Sequence, residues 1–181
     1  MLPLILRYGL IGGLIVAAPM TWRMFTADPQ NPGDPLGGML IGYLTMLVAL
    51  TSVFLGIKQY RDRFKGGVVK FGAAFGVGLA ISAVACVIYV IAWEICMAFA
   101  PVDFIAMYSN AMIDSVKNHG GTPEQIAKAT AEAKDFATMY AKPLVRIPMT
   151  FVEMFPVGLL VSLISAAVLR NPRVLPARAP A

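Results

Sequence analysis

Two carboxylates interrupt stretches that are otherwise apolar. Glu94 lies in Ala92-Trp93-Glu94-Ile95-Cys96 and Glu153 in Phe151-Val152-Glu153-Met154-Phe155. An acid inside a membrane span costs about 2.5–3.5 kcal/mol on insertion scales, so each is a candidate functional group by default. Their depths match. Glu94 precedes Pro101 by seven residues and Glu153 follows Arg146 by seven, which is about 10 Å of helix in both cases. At one level, two acids can share a proton or hold a cation. They can instead pair with Arg23 and Arg146, which read as lying near the same interface. The reading preferred is that each acid is a satisfied or protonated hydrogen-bonding group between helices; contact with a partner or a lipid headgroup is the remaining alternative. Gly76 stands 18 residues before Glu94, about five whole turns, so Glu94 is expected to share its face and point into the bundle. Pro148 and Pro156 spoil the phase around Glu153, so no facing is assigned there.

Little else in the chain is suited to chemistry. The single histidine, His119, sits beside two glycines and reads as a solvated loop residue. Cys86 and Cys96 are ten residues apart on one predicted helix, about 15 Å. That is beyond disulfide reach, and both read as packing residues. The eleven methionines are scattered. No metal-ligand spacing, phosphate-cradling glycine loop or nucleic-acid signature is legible, so neither metal nor cofactor is expected.

The elements that must carry the two acids are membrane helices. The chain is 58% hydrophobic and 14% charged, against about 45–50% and about 25% for soluble domains, and its mean hydropathy is +0.71. Four stretches, 4–22, 36–57, 71–99 and 146–169, supply the apolar length that a span requires. The first reads as an uncleaved span rather than a signal peptide: Arg7 lies inside the apolar run, and Pro19 follows Ala17-Ala18 where a cut would fall. The expectation is an all-α membrane domain over 1–170, with four transmembrane helices and an extracytoplasmic helical hairpin at 100–145. Residues 171–181 read as a flexible cytoplasmic tail.

Charge gives the orientation. One side gathers Arg7, Lys58, Arg61, Arg63, Lys65, Lys70, Arg170, Arg173 and Arg178 against one acid, Asp62. The other holds Arg23 and five more basic residues against seven acids, Asp28 and Asp34 among them. Basic loops stay in the cytoplasm, which puts both termini inside. That side can also attract anionic lipid headgroups.

The outer segment reads as two helices. Ile105, Tyr108, Met112 and Val116 recur at helical spacing, as do Ile126, Ala129, Ala133, Phe136 and Tyr140. Asn118-His119-Gly120-Gly121 stops the first helix. Thr122-Pro123-Glu124-Gln125 starts the second as a capping box. Glu124 and Lys128 are placed for an i,i+4 pair. The hairpin can bury its stripe on the membrane surface or bundle mouth, or offer it to a partner protein; the first is preferred because burial needs no partner. Within the bundle, small residues should mark close helix contacts: Gly9, Gly13 and Ala17; Gly38 and Gly42; Gly72, Gly76, Ala80 and Ala83; Gly158, Ser162 and Ala166.

One stretch carries a resemblance. Phe54-Leu55-Gly56-Ile57-Lys58-Gln59-Tyr60-Arg61-Asp62 is followed by Gly66-Gly67, Phe71-Gly72, Phe75, Gly78-Leu79, Ile81-Ser82, Tyr89 and Trp93. This resembles the bacterial family filed as domain of unknown function 4199, whose members are small four-span membrane proteins. The resemblance implies the topology and no activity. Physically, Gly66-Gly67 is expected to make the tight return between the second and third spans. Tyr60 and Arg61 are expected at the inner headgroup level as anchors, with Asp62 paired to Arg61, Arg63 or Lys65. A cytoplasmic docking site is the alternative for this loop.

The function expected is a non-enzymatic accessory or scaffold protein of a bacterial inner membrane, in contact with lipids and with a membrane-protein partner or further copies of itself. The alternative is a small oligomeric proton- or cation-coupled transporter or channel lined by Glu94 and Glu153. An enzyme acting on lipid ranks third.

Overall fold

The computed structural model describes residues 1–26, 35–101 and 103–177. Six helices form among them: α1 (Leu2–Thr26), α2 (Pro35–Phe64), α3 (Phe71–Phe99), α4 (Phe104–Asn118), α5 (Pro123–Tyr140) and α6 (Pro143–Leu169). Four of these, α1, α2, α3 and α6, are long and apolar enough to cross a membrane. The fold is all-α, with no strand among the described residues.

Helix ends follow local chemistry. Gly66 and Gly67 take φ of 60° and 87°, a left-handed backbone that glycine adopts without penalty. The Gly67 N–H then donates to the Arg61 carbonyl at 3.0 Å, closing the return between α2 and α3. Asp103 caps α4, accepting from the Ala106 N–H at 3.0 Å. Gly120, at φ 74°, ends α4. The Gly121 and Gly120 N–H groups donate back to the Val116 and Lys117 carbonyls at 2.9 and 3.0 Å, the two bonds of a left-handed helix stop. Thr122 and Gln125 form the reciprocal capping box at the start of α5.

α3 is the centre of the bundle, packed on α1, α2 and α6, while α2 also touches α1 and α6. Leu50, Val53 and Ile57 of α2, Ile81, Ala85 and Cys86 of α3, and Met154 and Leu169 of α6 are fully enclosed. Both cysteines are buried and free.

Glycines set two of the close approaches. A Cβ on Gly9 would stand 2.5 Å from Val84 Cβ, and one on Gly13 2.7 Å from Ile88 Cβ, so α1 lies directly against α3. A Cβ on Gly158 would stand 2.8 Å from Ser82 Cβ, and one on Gly78 2.9 Å from Ser162 Cβ. The α3–α6 crossing is therefore a reciprocal small-residue contact. It is also hydrogen-bonded: the Ser82 hydroxyl reaches the Gly158 carbonyl at 3.3 Å and the Ser162 hydroxyl at 3.2 Å.

The packing face of α3 differs from the one expected. Gly72 and Gly76 face away from the bundle and have nothing within 4 Å of an added Cβ; Gly78 and Ser82 occupy the interface instead. Gly42 of α2 is likewise open, and the close approach on that helix is at Gly56, against Ile81 and the Tyr8 ring. Gly38 lies outside the described side chains. An almost uniformly apolar helix carries several small-residue stripes, and spacing alone does not say which one meets a neighbour.

α4 and α5 pack on each other, and α5 also touches α6. Their union is aromatic. Trp93 at the end of α3 meets the Phe104 ring edge-on at 4.7 Å, and Tyr108, Phe136 and Tyr140 continue the stack with 5.0 Å between successive centroids. Ala129, Ala133 and Tyr140 are buried on the α5 stripe. The expected Glu124–Lys128 pair is not the one formed: Lys128 leans forward one turn to Glu132, at 3.8 Å. Glu132 has the same i,i+4 reach as Glu124, and near the N-terminus of α5 Glu124 is already favoured by the helix dipole.

Candidate functional site

The bundle has two polar nodes, one at each end. At the end away from the chain termini, α1 and α3 finish together, with Cys96 Sγ 3.7 Å from Thr21 Oγ1. There Glu94 of α3 meets Arg146 of α6. Arg146 Nε donates to Oε1 at 2.7 Å and Nη2 to Oε2 at 2.5 Å. This is a two-pronged guanidinium–carboxylate contact, the strongest geometry that such a pair can adopt. Arg146 Nη1 also donates to the Tyr140 carbonyl at 3.3 Å, so one side chain fastens α3, α6 and the last turn of α5. Trp93 Nε1 donates to the Tyr140 hydroxyl at 3.0 Å, a second tie between α3 and α5. Burial pushes the Tyr140 phenol above its ordinary pKa, which keeps it neutral and hydrogen-bonding. Beside the pair, an apolar groove of about 720 Å³ opens between α3 and α6, lined by Val87, Ile91, Ile95, Phe99 and Phe151 together with Glu94.

Of the four residues expected in the outer polar site, the structure joins Glu94 and Arg146. Glu153 lies on an exposed face of α6 and Arg23 in the exposed last turn of α1. Among the described residues neither makes a hydrogen bond or ion pair, and no hydrogen bond links the two carboxylates. Asp28 and Asp34 lie outside the described residues. The direction of Glu94 follows from Arg146 and not from Gly76, which faces outward. His119 caps α4, its Nδ1 2.7 Å from the Ser115 carbonyl. The described residues hold no group of histidines, cysteines and acids able to grip a metal ion.

The second node gathers the family-like loop. Tyr60 is buried and stacks on Phe64 at 6.1 Å, and Lys65 Nζ sits 5.8 Å over its ring. Asp62 accepts from Lys58 at 2.6 Å and Arg61 Nε at 2.7 Å, so of the three partners considered it takes Arg61, adding Lys58. Arg61 is 0% exposed, its side chain enclosed by the protein. Its Nη1 donates to the Val174 carbonyl at 2.8 Å and lies 3.5 Å from the Leu169 carbonyl, and its Nη2 donates to the Leu175 carbonyl at 2.5 Å. The segment read as a tail thus supplies the acceptors of a buried guanidinium, as far as it is described; Arg178 lies outside the described residues. Helical phase carries the signal for this burial. Arg61 follows Val53 and Ile57 by eight and four residues, and both are at 0% exposure on the face turned to the core.

Four long apolar helices, with the described ion pairs of this bundle near their ends, define a polytopic α-helical membrane protein. Within that class the chain belongs to the family described as Protein of unknown function (DUF4199), which matches it over residues 7–171. No curated protein and no solved structure matches it.

Proposed function

We propose that this protein is a non-enzymatic accessory or scaffold subunit of a bacterial cytoplasmic membrane, with both termini inside and the α4–α5 hairpin outside. The observation that carries this reading is the Glu94–Arg146 contact, in which a costly intramembrane acid is closed bidentately by one arginine that also holds α5. Such a group fixes the relative positions of three helices and spends its hydrogen-bonding capacity doing so. The orientation rests on Arg7, Lys58, Arg61, Arg63, Lys65, Lys70, Arg170 and Arg173, which collect at the helix ends nearest the termini.

Purification from native membranes under mild conditions tests the role. A stoichiometric membrane partner supports it; a homo-oligomer that conducts ions by itself sinks it. Labelling of single cysteines placed at Lys65 and His119 tests the sidedness, with only the second reached from outside. A proton- or cation-coupled transporter is the second reading, favoured by Glu153, a spanning-helix carboxylate without hydrogen bond or ion pair among the described residues. Undiminished flux in a Glu94→Gln, Glu153→Gln variant would eliminate it.

A further inference from the structure

The acceptors of Arg61 are unusual. A guanidinium with no exposure holds two successive backbone carbonyls, Val174 and Leu175, in its Nη1–Nη2 fork. Two oxygens presented to that fork are the arrangement by which arginine grips carboxylate or phosphate. Carbonyls are neutral, however, and leave charge over. Arg61 and Lys58 share the single carboxylate of Asp62, and Arg63, Lys65, Lys70, Arg170 and Arg173 lie exposed at the same end of the bundle.

The segment that supplies the carbonyls is tied by little else. Val174 N–H donates within the turn to the Asn171 carbonyl at 3.1 Å, and Ala177 rests 3.4 Å from where a Cβ on Gly67 would stand. Leu175 adopts φ 47°, the left-handed region that a leucine rarely enters, and is the only non-glycine to do so among the described residues. A strained residue persists where its surroundings over-determine it, and the Leu175 carbonyl is held by Arg61. The cleft also sits where α2 and α6, two of the long apolar helices, end.

We propose that Arg61 is the base of a phosphate-binding seat at this membrane surface, and that residues 174–177 are a strap occupying it in place of the anion. Release of the strap opens the fork to a phosphate, whose negative charge answers Arg61, Lys58 and the exposed basic residues as the neutral carbonyls cannot. The strap and an anionic phospholipid headgroup then exclude each other.

The test compares the full chain with a variant ending at Arg173, both placed in mixed phosphatidylglycerol–phosphatidylcholine vesicles, extracted, and read for retained lipid by native mass spectrometry. The shortened protein is expected to retain phosphatidylglycerol over phosphatidylcholine about tenfold better than the full chain, the effect of one charge-assisted contact. Arg61→Lys in the shortened chain keeps the charge, loses the fork, and should abolish most of that gain while thermal unfolding still reports a folded bundle. Displacement of the retained lipid by millimolar inorganic phosphate would assign the seat to free phosphate, and resistance to it to the lipid headgroup; both support the seat. Equal retention by full and shortened chains, or a gain that survives Arg61→Lys, would overturn the proposal.

Discussion

Removing one half of the Glu94–Arg146 pair should cost about as much as removing both. In Arg146→Met the protein loses two charge-assisted contacts to Glu94, at 2.7 and 2.5 Å, and the 3.3 Å bond to the Tyr140 carbonyl. A charged hydrogen bond contributes about 1.5–3 kcal/mol, and an unpaired buried charge costs about 3–5 kcal/mol. Glu94 keeps 26% of its side-chain surface and Arg146 10%, so the acid is only partly enclosed, and the expected loss is about 2–4 kcal/mol. Glu94→Gln strands the less exposed member, the guanidinium, and should cost a similar amount. The double variant carries no stranded charge and should recover about half of the summed losses. For a chain of this length the single variants correspond to midpoint drops of roughly 5–12 °C, measurable by thermal unfolding in one fixed detergent. Strict additivity of the two single losses, within about 0.5 kcal/mol, would refute the reasoning, because it would mean that the two charges do not stabilise each other.

Four further outcomes follow from other contacts of the fold. Gly13→Ala places a Cβ 2.7 Å from Ile88 Cβ and should destabilise the α1–α3 contact by about 1–3 kcal/mol. Gly76→Ala meets open space and should leave the unfolding midpoint unchanged or slightly raised; an equal loss at both sites would show that Gly76 is packed after all. Ser52 is buried with a hydroxyl that has no hydrogen-bond partner among the described residues. Ser52→Ala should therefore be neutral or stabilising in the same melt, and a clear loss would reveal a partner for the hydroxyl. Gly120→Ala forces a side chain into φ 74° and should cost the hairpin about 1–2 kcal/mol, seen as faster hydrogen exchange in α4 and α5 with the spans unaffected.

Much of this architecture is legible residue by residue. Apolar length marks the four spans, because a membrane leaves the backbone no partner but itself and a helix must run far enough to cross. The Gly66-Gly67 return, the Gly120 stop and the Thr122–Gln125 box are equally readable, since each depends on a few neighbouring residues and their backbone angles. The aromatic stripe of α5 is legible for a related reason: α5 is not one of the long apolar helices, so its polar and apolar faces separate and the helical period shows.

Inside the lipid that contrast disappears. Around Gly76 and Gly78 every face of α3 is apolar, so the two glycines are equivalent candidates until a partner helix is placed, and only the fold puts Ser162 against Gly78. Four pairings were open to Glu94 and Glu153 for the same reason. Which acid meets an arginine depends on how α6 is rotated against α3, and the rotation chosen gives Glu94 to Arg146. Arg61 shows the limit most clearly. Its charge places it near a membrane surface, but its acceptors, Val174 and Leu175, are more than a hundred residues away along the chain. The sequence by itself determined the elements and their ends, because those follow from local geometry and from the solvent. Only the tertiary structure decided the partners of Glu94, Arg61 and Gly78, because each is the nearest group in space on a different helix or on the chain's final segment.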